Sequence, residues 1–168
     1  SVTRAVGHAI VREPIADAEC ELLPPIELPD GHEFNMLEVP NVFDRDGHFH
    51  LVVSTAQLAH LGQSDLETQR SVRIYRSAAL EAGWQPYGDA GAHVILGPES
   101  RLYGLSIIGE PGRQGDTMTC RAFWVDDTTL PPSLRLTIGG GTPRLERPES
   151  LWAGATHPGA TAGTETMA

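Results

Sequence analysis

The feature of this sequence that most constrains its fold is a β-hairpin signature within residues 41–54. Apolar and β-branched residues stand on both sides of the tetrapeptide Asp44-Arg-Asp-Gly47. Asp favours tight turns and Gly tolerates a positive φ, so the tetrapeptide predicts the turn of a hairpin. The same stretch lacks the later ligands of a calcium loop, which favours turn formation as its interpretation.

Similar β-rich runs recur along the chain, and 18 glycines and 13 prolines fall largely between them. The runs predict strands at Ala5–Val11, His48–Ser54, Val72–Arg76 and Leu102–Ile108. Residues 55–70 carry leucines at roughly helical spacing, interrupted by Gly62 and Ser64. A helix and a long loop with one helical turn are both open there. We therefore expect an all-β fold.

A weak internal repeat suggests how the strands are arranged. An offset of 66 residues sets Ala5–Ala9 against Ser71–Tyr75, and Glu33–Val39 against Glu99–Leu105. Each unit runs from a strand through polar and Pro/Gly-rich loops to a second strand. This order is typical of four-stranded propeller blades, although the offset exceeds the ~40–50 residues of common propeller repeats.

The C-terminal part has a different composition. From Thr142 onward the chain is rich in Gly, Ala, Thr and Pro and has few large apolar residues. We expect propeller blades over residues 1–141 and a disordered tail over 142–168, in which Trp152 is the candidate anchor.

The charge of the chain argues against polyanionic partners. The net charge is −10, and the twelve arginines, with no lysine, are scattered from Arg4 to Arg147. Nucleic acid and anionic membrane are therefore not expected as partners. The sequence has no apolar run near the ~20 residues of a transmembrane helix. No signal-peptide pattern is visible, and localisation stays open between cytoplasm and secretion.

Several kinds of chemistry have no motif in this sequence. Cys20 and Cys120 lack the spacing of a zinc or redox site, and buried free thiols are favoured over a disulfide between them. We find no P-loop, no dinucleotide-binding pattern and no nucleophile elbow. The glycine run 139–141 opens no predicted helix, so it is a turn rather than a phosphate cradle. No cofactor is expected.

The segment Phe34–Ser54 resembles a signature of five-bladed propeller glycosidases that act on fructosyl sugars, the invertase and levansucrase group (glycoside hydrolase families 32 and 68). In that group a Glu, separated from a Pro by one residue, opens the strand of a blade, and a second strand follows a Gly turn and ends in a Ser. The matching residues are Glu38, Pro40, Asp46-Gly47 and Ser54.

Three weaker matches follow the order of blades in that group. Val6–Ile26 resembles the end of a preceding blade, Val72–Trp84 a strand closed by a packing Trp, and Gly97–Leu105 the strand that opens the last blade. The resemblance implies that about residues 5–140 are the C-terminal blades of a five-bladed propeller. Val39 stands where many members have Cys or Arg, which leaves the subgroup open.

The resemblance implies a retaining glycosidase or transglycosylase acting on β-fructofuranosyl or related furanosyl units of an oligo- or disaccharide. Glu38 would be the general acid/base, shielded from water by Leu37, Val39 and Pro40. The family's nucleophilic and transition-state-stabilising Asp residues have no matching motif here. The nucleophile is thus expected outside this chain, in missing N-terminal blades or a partner chain.

Candidate sugar-binding residues come from the same matches. Tyr103 and Arg101 alternate on a predicted strand and so share a face, and His93 precedes the run Val94–Leu96. Each of the three could bind sugar or serve only in packing. His48 and His50 have metal-compatible spacing on the hairpin, but without a third ligand an exposed hairpin face is the favoured interpretation.

Two other functions are compatible with the same sequence. A propeller remnant could bind carbohydrate without turnover, keeping Glu38 by descent only. A protein-interaction module could use the propeller surface, with Glu38 incidental. Both alternatives differ from the glycosidase hypothesis in predicting no turnover of sugar.

Overall fold

A computed structural model describes residues 5–11, 20–34, 36–57, 69–88, 93–97, 100, 102–108, 117–124, 133–139 and 142–146. These residues form strands and one 3-10 turn, Gly31–Glu33, without an α-helix. The strands are β1 (Ala5–Val6), β2 (Ala9–Val11), β3 (Cys20–Leu22), β4 (Ile26–Glu27), β5 (Met36–Arg45), β6 (His48–Gln57), β7 (Gln69–Ser77), β8 (Gln85–Pro86), β9 (Val94–Leu96), β10 (Leu102–Ile107), β11 (Thr117–Trp124), β12 (Leu134–Gly139) and β13 (Thr142–Glu146). The predicted all-β fold is confirmed. No helix within the described ranges is long and apolar enough to cross a membrane.

The first sheet has the order β5-β6-β7-β8, with β9 also paired to β7, and all of these pairs are antiparallel. The predicted hairpin joins β5 to β6. Its turn consists of Asp46 and Gly47, with φ values of 50° and 70°. Positive φ at both central residues is the type I′ geometry whose twist suits a two-residue hairpin. The flanking Arg45 and His48 pair across the strands.

The second sheet has the order β10-β11-β12-β13. Its last strand corrects the predicted tail, because the tail was expected to begin at Thr142. Pro143 and Leu145 pair with Ile138 and Leu136, and they pack on the buried side of the sheet. These two apolar residues are enough to recruit the segment as an edge strand. The rest of the predicted tail, residues 147–168 with Trp152, lies outside the described residues.

The predicted repeat coincides with the two sheets in one of its two matched pairs, since Ala5–Ala9 lies in small two-stranded sheets whereas Ser71–Tyr75 lies within β7. The first strands of the two sheets, β5 and β10, begin at Met36 and Leu102, which are 66 positions apart. The predicted strand Ala5–Val11 is split into β1 and β2, which pair with β4 and β3. Both ends of the possible helix at residues 55–70 belong to β6 and β7, whereas residues 58–68 lie outside the described part of the chain.

Successive side chains of the first sheet point to opposite faces, and each face carries a buried apolar cluster. Leu51, Val53 and Tyr75 face the β1–β4 hairpins, where they meet Val6 and Ile26. The other face packs on the second sheet. The apolar cluster between the two sheets includes Val52, Val72, Ile74, Leu102, Leu105, Met118, Cys120, Leu134, Leu136 and Ile138. The strands thus form successive layers in which β10 packs against β5.

Candidate active site

Glu38 and Tyr103 meet where the first strands of the two sheets lie side by side. The Tyr103 hydroxyl donates a hydrogen bond to Glu38 Oε2 at 2.8 Å, and both side chains are half-buried. Burial raises the pKa of Tyr103, and the adjacent Glu38 carboxylate raises it further. The phenol therefore stays protonated as a donor at neutral pH.

The backbone around these two residues follows the same plan in both strands. A β-bulge interrupts β5 between Glu38 and Asn41, and another interrupts β10 between Tyr103 and Ser106. The residues directly after Glu38 and Tyr103 are left-handed, with φ of 50° at Val39 and 68° at Gly104. A bulge re-aims the neighbouring side chain. Glu38 and Tyr103 thus occupy equivalent places in adjacent sheets and point towards one another.

Val39 is strained by this geometry. A left-handed conformation is rare for a β-branched residue and costs on the order of 1–3 kcal/mol. Such outliers persist where surrounding contacts enforce them, and they concentrate at functional sites. The surrounding contacts therefore hold the Val39 backbone, in the bulge beside Glu38, in a conformation that valine disfavours.

Asn41 of β5 and Ser54 of β6 both connect the first sheet to β10. The Asn41 amide donates to Val39 O at 2.9 Å and to Leu105 O at 3.0 Å, and its oxygen accepts from the N–H of Ile107 at 3.1 Å. Ser54 Oγ accepts from the N–H of Gly104 at 3.1 Å. Backbone groups left unpaired by the bulges are satisfied in this way.

Arg70 is a site residue that the sequence did not reveal. Its guanidinium lies over the Tyr103 ring, 5.5 Å from the centroid, in cation–π geometry. Arg70 occupies β7 directly opposite Ala56 of β6. The contact depends on the register of a non-local strand pair and on packing between sheets. No local pattern around Arg70 indicates it.

The expected shielding of Glu38 is largely wrong. Val39 is 38% exposed and Pro40 is exposed, because the bulge turns both residues towards the surface. Leu37 pairs with Thr55 and packs against the apolar cluster on the other face of the first sheet, the one that contains Leu51 and Tyr75. The Glu38 carboxylate instead contacts the Tyr103 hydroxyl, and Tyr103 was predicted for sugar binding rather than for this contact.

The other predicted sugar-binding residues do not join this pair. Arg101 lies outside the described residues. His93 belongs to a cluster on the opposite face of the first sheet, where its Nε2 lies 3.3 Å from Arg73 Nη1 and 3.9 Å from Asp30 Oδ2. Burial lowers the pKa of His93, and the charge of Arg73 lowers it further. A sugar-binding role for either Arg101 or His93 stays a prediction.

The cluster around His93 joins the segment that follows β4 to strand β7 of the first sheet. Asp30 accepts from Arg73 Nη1 and from the Tyr75 hydroxyl, each at 2.8 Å. The Arg73 guanidinium also lies 4.5 Å from the centroid of the Phe34 ring. Because each of these groups is engaged by another member, the cluster serves as an internal link between layers.

His50 differs from the exposed position predicted for it. It is 4% exposed, stacked on Phe43 with centroids 5.3 Å apart, and in edge contact with Tyr87 at 5.1 Å. The neighbouring His48 is half-buried, and its Nδ1 lies 3.1 Å from Asp46 O. Among the described residues, no group of three or more His, Cys, Asp and Glu side chains is arranged to hold a metal ion.

The predictions for Trp84 and the cysteines have mixed outcomes. Trp84 is 2% exposed and donates its indole N–H to Leu80 O at 3.2 Å, which confirms a packing role. Neither cysteine forms a disulfide. Cys120 is buried as expected, whereas Cys20 is exposed because β3 belongs to a two-stranded pair with little cover.

Comparison with known proteins gives structural similarity alone. No family model and no curated protein matches the chain. A levansucrase variant from B. megaterium is 19% identical, with a TM-score of 0.57, over 86% of this chain and 33% of that chain. Bacillus subtilis levansucrase is 16% identical, with a TM-score of 0.58, over 88% and 34%. A levansucrase complexed with sucrose is 14% identical, with a TM-score of 0.58, over 88% and 34%.

These similarities establish the fold. The two sheets have the architecture of blades in the levansucrase propeller, as the resemblance predicted. The chain spans about a third of the length of the levansucrases that it matches.

Proposed function

We propose that this chain carries the acid/base part of a retaining glycosidase or transglycosylase that acts on β-fructofuranosyl or related furanosyl sugars. Glu38 is the general acid/base, and the nucleophile belongs to residues outside this chain. The observation that carries the proposal is the hydrogen bond of 2.8 Å from Tyr103 to Glu38 Oε2, at the inner edge of two adjacent blades. The levansucrase fold is the supporting context.

Each residue has a defined part in this mechanism. In the first step a carboxylate outside the chain attacks the anomeric carbon, the bond from that carbon to the glycosidic oxygen breaks, and Glu38 gives its proton to this oxygen, so that the leaving sugar departs as an alcohol and a glycosyl-enzyme remains. In the second step the Glu38 carboxylate takes a proton from water or from an acceptor hydroxyl, whose oxygen displaces the enzyme carboxylate. Tyr103 holds Oε2, which assigns proton transfer to Oε1. Arg70 fixes the Tyr103 ring through the cation–π contact.

The test compares the whole protein isolated from its source with its Glu38→Gln variant. Glucose and fructose released from sucrose, together with any fructosyl oligosaccharides, are measured by chromatography. Loss of a positioned general acid/base lowers the rate by about 10²–10⁴-fold. We expect a loss of this size in Glu38→Gln with the unfolding midpoint nearly unchanged.

The matched control is Glu146→Gln, because Glu146 is an exposed carboxylate on β13 in the second sheet. It is expected to keep full activity. Equal activity of Glu38→Gln and wild type would remove Glu38 from the mechanism. Binding of sucrose or fructan without turnover would instead support a carbohydrate-binding propeller. Absence of both turnover and any sugar-dependent thermal shift would favour a protein-interaction module.

A further inference from the structure

One side chain ties together the two strands that carry Glu38 and Tyr103. Asn41 stands at the end of the β5 bulge and reaches across to β10, where it meets Leu105 O and the N–H of Ile107. The same amide group also holds Val39 O, inside its own bulge. Both bulges are therefore fixed relative to each other through Asn41.

We propose that Asn41 is a positioning residue that sets the hydrogen bond between Glu38 and Tyr103. The proposal rests on the function proposed above, because the position of Glu38 matters for chemistry only if Glu38 transfers a proton. The assignment comes from its three backbone contacts, at 2.9, 3.0 and 3.1 Å.

The chemistry of the asparagine side chain suits this task. Its amide nitrogen has two N–H groups, one for each of the two carbonyl oxygens, and its oxygen accepts from the third backbone group. Aspartate would retain the acceptor and lose both donors, whereas leucine has a similar shape and would lose all three contacts. The side chain thus satisfies two acceptors and one donor that regular strand pairing leaves unpaired at the bulges.

The strain at Val39 explains why such a clamp is required. A left-handed valine, with φ of 50°, relaxes when the contacts that enforce it are removed. Glu38 is the residue immediately before Val39, so relaxation of the bulge swings the carboxylate. The second anchor, Ser54 to the N–H of Gly104, holds β10 but makes no contact with the Val39 carbonyl. Asn41 therefore acts on the carboxylate side of the pair.

The test is a double-mutant cycle on the stability of the chain. In wild type, Tyr103→Phe removes the hydrogen bond to the half-buried carboxylate, and we expect it to raise the unfolding constant about tenfold or more. In an Asn41→Leu background the hydrogen bond is already lost. There the same Tyr103→Phe change is expected to alter the unfolding constant by less than about twofold. Urea titrations at pH 7 measure all four proteins.

Ile138→Val supplies the matched background, because it destabilises the core of the second sheet from β12, a strand that carries none of the site residues. It is expected to preserve the full effect of Tyr103→Phe. An unchanged effect in Asn41→Leu as well would make Asn41 a purely structural residue and overturn the proposal. If Asn41→Leu does not fold, Asn41→Asp replaces it, with the same two outcomes.

The cycle does not depend on turnover. A failure of the sucrose assay with a positive cycle would reject the proposed function and leave Asn41 as an organiser of a non-catalytic pair. A positive sucrose assay with a negative cycle would keep the function and reject the role of Asn41.

Discussion

Gly104→Ala tests how closely the Phe123 ring of β11 packs over the left-handed backbone of β10 at Gly104. Gly104 has φ of 68°, and a Cβ added there would lie 3.0 Å from Phe123 Cδ2 and 3.8 Å from Val39 Cγ2. The substitution thus combines a backbone penalty with a steric one. Gly47→Ala provides the control, because Gly47 has φ of 70° and nothing within 4 Å of the added atom.

The magnitudes of the two penalties can be separated. A left-handed alanine costs about 1–2 kcal/mol, partly offset by about 0.4–1 kcal/mol from the stiffer unfolded chain, which leaves about 1 kcal/mol at Gly47. Carbon atoms in contact lie about 3.5–4.0 Å apart, so the Phe123 ring must move by about 0.5 Å in Gly104→Ala. Because Phe123 is 50% exposed, the ring can move into solvent, and we take the lower limit of overpacking, about 1 kcal/mol.

We therefore expect Gly104→Ala to lower the free energy of unfolding by about 2 kcal/mol, against about 1 kcal/mol for Gly47→Ala. In a chain of this size the corresponding shifts of the unfolding temperature are about 4–8 °C and about 2–4 °C. Urea and thermal unfolding followed by circular dichroism measure both. Equal losses in the two variants would refute the close approach at Phe123. No loss in either would refute the left-handed backbone itself.

Three further predictions concern titration and charge. Burial, and then the charge of Arg76, lower the pKa of His50 to about 4 in the folded chain, so the unfolded chain takes up a proton at higher pH. The free energy of unfolding should therefore fall as the pH drops from about 6.5 towards 4, by up to about 1.4 kcal/mol per pH unit. His50→Phe should flatten the dependence of the free energy of unfolding on pH in this range, as measured by urea titrations. Burial raises the pKa of the Cys120 thiol to about 11, so that a disulfide reagent at pH 8 should modify Cys20 alone in the folded chain and both thiols after denaturation. Asp30→Asn should lower the free energy of unfolding by about 2 kcal/mol, because the substitution leaves the mostly buried guanidinium of Arg73 without its carboxylate. The double variant Asp30→Asn, Arg73→Met should recover part of this loss, as measured by urea titrations.

The parts of the fold that were predictable depend on neighbours in sequence. The hairpin follows from the turn at Asp46-Gly47 and from the alternation of its strands, all within residues 41–54. The repeat located the starts of β5 and β10 because each blade restarts the same local pattern. The strand Thr142–Glu146 was missed since its two inward-facing residues, the buried Pro143 and the partly buried Leu145, are few among Gly, Thr and charged neighbours.

The candidate site was predictable only in part. Glu38 and Tyr103 were singled out separately, through resemblance to a family, and their hydrogen bond across 65 positions was not foreseen. Arg70 and Asn41 act through register and packing between strands distant in sequence. Burial of His50 likewise depends on the packing of Tyr87 against the hairpin, which no pattern around His50 encodes.

The two sheets differ in the surface that they would offer to a blade completing the proposed site. Both faces of the first sheet carry a buried apolar cluster, whereas the outer face of the second sheet is mostly polar and exposed, with Arg121, Arg135, Arg144 and Glu146 among threonines beside the half-exposed Phe123. Glu146 lies directly opposite Arg135 on this face, so a blade that packed there would bury three guanidinium groups with one carboxylate and would have to supply acceptors for the remaining positive charge. Residues that complete the proposed site are therefore expected either to bring acidic side chains to this face or to approach Glu38 along the inner edge formed by β5 and β10.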